Sequence, residues 1–146
     1  MTKTKKILII VTNVPEYKKV GFRTGLWLGE LTHFWDVAEE AGYTMDIVSP
    51  SGGPIPLDPE SLAHGVLAEL STERRYMDRA YMDRLEHTKK VSDVRVEDYD
   101  AIYLTGGHGI MFHFPESKTL QEVIAKFMRQ GRSCQLCVMV RTDCST

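Results

Sequence analysis

The sequence predicts an α/β domain built on a parallel β-sheet, and three observations support this. The apolar runs 7–11 and 101–104 show no polar alternation, which is typical of strands buried on both faces. A helical pattern over residues 26–42 follows the first run, and a further strand pattern covers 43–49. The order strand, helix, strand indicates parallel strands joined by right-handed crossovers.

Composition limits the classes of protein that the chain can represent. Its 146 residues are 42% hydrophobic and 26% charged, which is enough for one globular domain with a core. The formal net charge is -2, so no basic surface for nucleic acid or for an anionic membrane is expected. Residues 1–11 mimic a signal peptide, but their apolar run is short and lacks a cleavage site. We therefore interpret this run as the first strand of a cytoplasmic protein.

The first third of the chain is predicted to form a strand–helix–strand unit. A strand over residues 7–12 is followed by a polar loop over 13–25 and then by the helix. Gly42 is placed to end this helix. Four apolar side chains are spaced as one helical face: Phe34, Val37, Ala38 and Ala41.

The middle of the chain is predicted to be helical and charged. Asp58 and Pro59 have the pattern of an N-cap followed by proline at the first helical position. Residues 60–87 follow as broken helices with a solvated charged face, and 89–98 lead back to the strand at 101–104. The Tyr-Met-Asp-Arg sequence occurs twice, five residues apart, which keeps no helical face in register, so we treat the repeat as accidental.

The strand at 101–104 ends in Thr105, followed by Gly106, Gly107, His108 and Gly109. Glycines allow the backbone to turn sharply and to approach a ligand closely. In open α/β sheets, ligands bind just beyond the carboxyl ends of the strands. This loop is therefore a candidate site, although a glycine-rich loop with a surface histidine explains it equally well.

A second amphipathic helix is predicted after this loop and is expected to end at Gly131. Its apolar positions are Leu120, Val123, Ile124, Phe127 and Met128. An alternating α/β fold requires a buried strand next. The residues that follow, 133–146, are interrupted by Arg141, Thr142 and Asp143, so we expect no strand from them.

From Ile7 to Gly131 the sequence resembles the ThiJ/PfpI family, in the class I glutamine-amidotransferase-like superfamily, and specifically its branch of heat-shock chaperones and glyoxalase III enzymes. Three segments carry the resemblance: Gly29-Glu30-Leu31, Thr105 to Gly109, and Phe114-Pro115-Glu116-Ser117. The resemblance implies a flavodoxin-like parallel sheet with helices on both faces, commonly in a homodimer. It also implies a site without cofactor or metal, in which a cysteine attacks the aldehyde of a small 2-oxoaldehyde substrate.

The resemblance assigns roles to three residues of this chain. Glu30 matches the family glutamate beside the cysteine and would act as a general acid/base, whereas the residue pattern alone equally fits a carboxylate at a helix start. Gly107 would offer its backbone N–H to a developing oxyanion. His108 would line the same pocket or serve as a structural donor. His113 departs from the acidic residue expected at the pocket rim.

The last residues depart from the family pattern. Carried on from Gly131 without gaps, the pattern places Val138 at the nucleophile position and Met139 at the following histidine. Cys137 lies one place too early and would face the opposite side of a strand. Read one nucleotide displaced, codons for this segment can spell Ile-Val-Ser-Ala-Val-Cys-His-Gly-Pro. We therefore interpret residues 1–132 as the N-terminal part of a single domain and 133–146 as a frameshifted tail replacing the nucleophile strand and elbow.

All three cysteines lie in this tail, at Cys134, Cys137 and Cys144. The Cys-x-x-Cys spacing is compatible with a zinc or redox site, but no second pair or nearby histidine accompanies it, and out-of-frame sequence explains it more simply.

A domain that is incomplete at its C-terminus would leave an open sheet edge and poor solubility. Glyoxalase III or deglycase activity, lost in this exact chain, is thus one hypothesis. The alternatives are a holdase-like chaperone for unfolded client proteins, a catalytically dead pseudoenzyme and a pseudogene product.

Overall fold

The structure is a computed structural model that describes residues 5–17, 19, 21–68, 72–105, 116–131 and 133–136. The strands are β1 (Lys6–Ile10), β2 (Glu16–Tyr17), β3 (Phe22–Arg23), β4 (Thr44–Ser49), β5 (Lys89–Lys90), β6 (Ala101–Leu104) and β7 (Ser133–Leu136). The α-helices are α1 (Leu28–Glu40), α2 (His64–Leu67), α3 (Thr72–Tyr76), α4 (Arg79–Glu86) and α5 (Lys118–Arg129). Three 3-10 helices span Pro59–Leu62, Val91–Asp93 and Val96–Asp98.

A five-stranded parallel sheet forms the centre of the fold, in the order β5-β4-β1-β6-β7. Apart from the two-residue edge strand β5, the strands follow the order 2-1-3-4, as in flavodoxin-like sheets. The predicted α/β class and parallel sheet are confirmed. β1 lies in the middle because its five residues form an almost unbroken apolar run buried on both faces.

Each face of the sheet carries its own apolar core. One core lies between the sheet, α1 and α4, and its members include Ile9, Val11, Leu31, Trp35, Tyr81, Leu85 and Tyr103. The other lies beneath α5 and the 3-10 helices Val91–Asp93 and Val96–Asp98, and its members include Leu8, Ile10, Ile102, Leu104, Leu120 and Phe127. Helices therefore cover both faces, as predicted.

The four apolar residues predicted to share one face of α1 do share it, but of these only Ala38 is buried in the core. Leu28, Leu31, Trp35 and Ala38 are the hydrophobic residues that α1 buries, whereas Val37 is 68% exposed. The predicted residues Phe34, Val37, Ala38 and Ala41 instead line a groove of about 580 Å³ between α1 and β6. Two apolar stripes overlap on this helix, and sequence spacing alone does not select between them.

Helix ends and turns follow the predictions closely. Gly42 has a φ of +85° just after α1, and its N–H donates to Glu39 O over 3.0 Å. Asp58 caps Pro59–Leu62 by accepting from Glu60 N, although the helix is of the 3-10 type. In α5, Leu120 and Phe127 are buried as predicted, but Met128 is 58% exposed because the helix turns it away from the sheet.

Three segments form strands where none was predicted, and one of them is the two-residue edge strand β5. The predicted polar loop contains the short antiparallel ribbon of β2 and β3. The first residues of the tail form β7, which pairs in parallel with β6 so that Leu136 lies opposite Leu104. The expectation that the tail would not extend the sheet is therefore wrong for Ser133–Leu136, where the backbone pairs with a preformed strand edge despite the polar sequence. Residues 137–146 lie outside the described residues.

Candidate active site

The candidate site begins with the segment that leads into α1. Leu26 N donates to Pro56 O over 2.8 Å, and Asp58 N donates to Leu26 O over 2.9 Å. Gly25 adopts a φ of +157°, and a Cβ built on it would lie 2.5 Å from Pro56 O. A side chain is therefore excluded at Gly25, and this close backbone contact fixes where α1 starts.

Glu30 lies in the first turn of α1 and is only 6% exposed. Its backbone N–H donates to Trp27 O over 3.1 Å. A carboxyl group is costly to bury without hydrogen bonds. Thr105, whose side chain is fully buried, supplies one: its Oγ1 donates to Glu30 Oε2 over 3.3 Å.

This contact lies at the switch point of the sheet. From β1 the chain first adds β4 on one side and later β6 on the other, so connections leave in opposite directions at the carboxyl ends of β1 and β6. Thr105 N donates to Ile10 O over 3.0 Å at this position, and Thr12, two residues after the end of β1, is fully buried. Ligands of open α/β sheets bind in this crevice.

Polar side chains support α1 one turn further along. Thr32 Oγ1 donates to Gly29 O over 3.2 Å and lies 3.0 Å from Thr72 Oγ1. Thr72 Oγ1 also lies 3.3 Å from Nε2 of His33. These bonds join the first turns of α1 to α3, because both threonines are buried and need partners.

Of the three predicted catalytic residues, only Glu30 lies among the residues that the structure describes. The structure places Glu30 at the carboxyl end of β6, beside the first residue of the predicted glycine loop. Gly107 and His108 lie outside the described residues, as do His113, Cys137, Val138 and Met139. Sequence analysis missed the contact of Thr105 with Glu30, since these residues are 75 positions apart. The one available signal was that Thr105 is the polar residue that ends a buried strand.

Two features are absent from the part of the chain that the structure describes. Within the ranges that the structure describes, no group of three or more His, Cys, Asp or Glu side chains is arranged to hold a metal ion. None of the described helices has the length and apolar character needed to cross a membrane.

Several known proteins are similar to this chain in sequence and in fold. A scan against models of protein families finds no match. Glutathione-independent glyoxalase HSP31 of Saccharomyces cerevisiae is 27% identical over 129 residues, which cover 87% of this chain and 54% of the yeast protein. The Rapid Encystment Protein 24 kDa of Francisella tularensis superposes with a TM-score of 0.82 at 28% identity, covering 91% of this chain and 58% of that chain. Glyoxalase III of Candida albicans superposes with a TM-score of 0.74 at 26% identity, covering 90% and 56%.

The flavodoxin-like sheet and these relatives define the class of protein. The chain is a homologue of glutathione-independent glyoxalases. This similarity supports the resemblance to the ThiJ/PfpI family that the three sequence segments predicted. The chain spans about half the length of the curated relatives that it matches.

Proposed function

We propose that this chain carries the general acid/base part of a cofactor-independent glyoxalase III or deglycase-type site, whose substrate is a small 2-oxoaldehyde such as methylglyoxal. The observation that carries the proposal is the buried Glu30 at the switch point of the sheet, hydrogen-bonded by Thr105. The relatives named glyoxalase support the same chemistry.

The reaction would use a thiolate and one carboxylate. The thiolate adds to the aldehyde carbon of methylglyoxal and forms a hemithioacetal. Glu30, as carboxylate, removes the proton from that carbon and gives it to the neighbouring carbonyl carbon. The hydroxyl proton of the hemithioacetal passes to the oxygen of that neighbouring carbonyl, so that a thioester and a new hydroxyl group result. Water then hydrolyses the thioester, which releases lactate and regenerates the thiol. The backbone N–H of Gly107 would stabilise the oxyanion, and His108 would line the pocket.

In this exact sequence we propose that the reaction does not proceed. The family resemblance puts Val138 and Met139 where the reaction needs a thiol and a histidine. β7 supports this alignment, since it pairs beside β6 and ends two positions before Val138. On this proposal, residues 1–132 are the N-terminal part of the family domain, and residues 133–146 are a continuation read in a displaced frame.

The nucleotide sequence across the codons for Gly131 to Thr146 tests this proposal first. One displaced base that restores Cys-His-Gly-Pro, followed by a long open frame, supports a glyoxalase. The frame-restored protein should then consume methylglyoxal and form lactate. Glu30→Gln should reduce the rate at least 100-fold, while Glu40→Gln, an exposed change on the same helix, should leave it unchanged. An uninterrupted frame to Thr146, or an inactive restored protein, contradicts the proposal.

The groove between α1 and β6 favours a second candidate, a holdase-like chaperone. Phe34, Val37, Ala38 and Tyr103 give it an apolar lining that a client segment would cover. Suppression of client aggregation that persists after cysteine alkylation and is lost in Val37→Asp supports this function. Suppression that Val37→Asp leaves intact contradicts it. The resemblance further supports a homodimer, which light scattering checks. The cytoplasmic location stays a prediction, which cell fractionation checks.

A further inference from the structure

We propose that Thr105 is a positioning residue for the carboxylate of Glu30. The inference rests on the function proposed above and adds a residue to its machinery. The two side chains belong to different elements, the end of β6 and the first turn of α1, and meet over 3.3 Å between Thr105 Oγ1 and Glu30 Oε2.

Thr105 is held more firmly than a loop residue. Its N–H continues the pairing with β1 by donating to Ile10 O over 3.0 Å. Its side chain is fully buried, and a β-branched side chain has few χ1 rotamers to choose from. The direction of the hydroxyl group is therefore fixed by its attachment to the sheet.

The direction of this hydrogen bond matters for the chemistry. A carboxylate only accepts, so the hydroxyl of Thr105 must donate its single proton to Oε2. The bond restrains rotation about the last torsion of Glu30, which is otherwise broad for glutamate. A general base that is held in one orientation reacts faster than one that rotates freely, because misplacement by one ångström can lower the rate about 100-fold.

A purely structural role makes different predictions from a positioning role. If Thr105 only satisfied a buried carboxyl group, its loss would lower stability and leave the turnover of folded protein intact. If it positions Glu30, folded protein without the hydroxyl should turn over more slowly while binding substrate equally well.

The experiment compares Thr105→Val, which keeps the shape but removes the hydroxyl, with Thr105→Ser, which keeps the hydroxyl. In the 146-residue chain at pH 7, the ¹³Cδ resonance of Glu30 should shift in Thr105→Val and stay near its parental position in Thr105→Ser. In the frame-restored protein, kcat should fall about 10- to 100-fold in Thr105→Val with KM within twofold. Thr105→Ser should recover kcat to within about threefold.

The outcomes separate this inference from the proposed function. A frame-restored protein with Thr105 intact that shows no methylglyoxal activity overturns the proposed function. An active parent whose kcat is unchanged in Thr105→Val overturns the positioning role, as does a Glu30 resonance that does not respond. Where Thr105→Val fails to fold, Thr105→Ser and Thr105→Ala are compared, and equal kcat in these two variants likewise overturns the role.

Discussion

Phe34 of α1 stacks on Tyr103 of β6, with ring centroids 3.6 Å apart and ring planes inclined by 5°. Tyr103 belongs to the buried core, whereas Phe34 is half-buried and lines the groove beside it. The pair therefore joins α1, which carries Glu30, to β6, which Thr105 directly follows. The two elements thus meet twice, at the aromatic stack and beside the hydrogen bond between Thr105 and Glu30.

Removing this stack should destabilise the domain. Phe34→Ala should lower the free energy of unfolding by about 2 kcal/mol, because it loses half-buried aromatic surface and the ring contact. Val37→Ala is the matched control on the same groove and should change it by less than about 0.5 kcal/mol, since Val37 is largely exposed. Urea denaturation measures both values. Equal losses would mean that the stack contributes nothing beyond surface area.

The backbone contact before α1 should not tolerate a side chain. Gly25→Ala places its Cβ 2.5 Å from Pro56 O at a φ of +157°, so we expect a loss of at least about 2 kcal/mol. Gly65→Ala lies within α2 with no atom within 4 Å of the new Cβ. It should raise stability by about 0.5 to 1 kcal/mol, because alanine favours helix. Thermal melting of both variants checks this, and a neutral Gly25→Ala would refute it.

An ion-pair network ties α3 to α1. Arg75 donates to Asp36 Oδ1 and to Glu39 Oε2, and its guanidinium lies over the ring of Tyr81. Because Arg75 is only 15% exposed and uses its planar group, Arg75→Lys should cost about 1 to 2 kcal/mol.

The control for Arg75→Lys is Arg79→Lys. Arg79 pairs with Asp83 within α4 and is 90% exposed, so this change should cost less than about 0.5 kcal/mol. Chemical denaturation at low and high salt distinguishes the two sites. The prediction fails if lysine replaces arginine at both positions without cost.

The hydrogen bond between Tyr99 and Asp46 should make stability depend on pH. Burial opposes ionisation of Asp46, but the bonds from Lys6 and Tyr99 outweigh it and hold the pKa of Asp46 below its ordinary value of 3.8. A lowered native pKa stabilises the fold above the unfolded value and loses this effect as pH falls through the native one. Tyr99→Phe should therefore cost about 1 kcal/mol at pH 7 and progressively less below pH 3.8.

Denaturation curves between pH 2.5 and about 7 measure this dependence. Tyr43→Phe, a change next to the opposite core, serves as the control and should give a difference from the parent that does not vary with pH. A constant cost of Tyr99→Phe across this range would show that the phenol contributes by packing and not through the carboxylate.

The sequence correctly predicted the elements that depend on a few neighbouring residues. β6 was placed at its observed bounds because four apolar residues without alternation require burial on both faces. Gly42 and Asp58 were also placed correctly, since a left-handed turn and an N-cap each depend on one residue type. Features that depend on contacts between residues far apart in the sequence were missed. The core face of α1 depends on which of two stripes the sheet covers, and β7 depends on an available edge of β6.

The site was predictable to a smaller extent. The choice of Glu30 as a site residue rests on the family resemblance and stays a prediction, whereas its contact with Thr105 depends on how α1 packs on β6. Spacing in the sequence contains no information about such a contact. The roles of Gly107 and His108 stay predictions.

The central position of β1 has a consequence for the order in which the newly made chain can fold. Its neighbour β4 is complete at residue 49, but the strand on its other side, β6, ends only at residue 104. At about 5–20 residues per second, this delay amounts to several seconds of translation. Throughout that interval the most apolar strand of the protein has one unpaired edge, so the nascent chain needs shielding from its neighbours on the polysome.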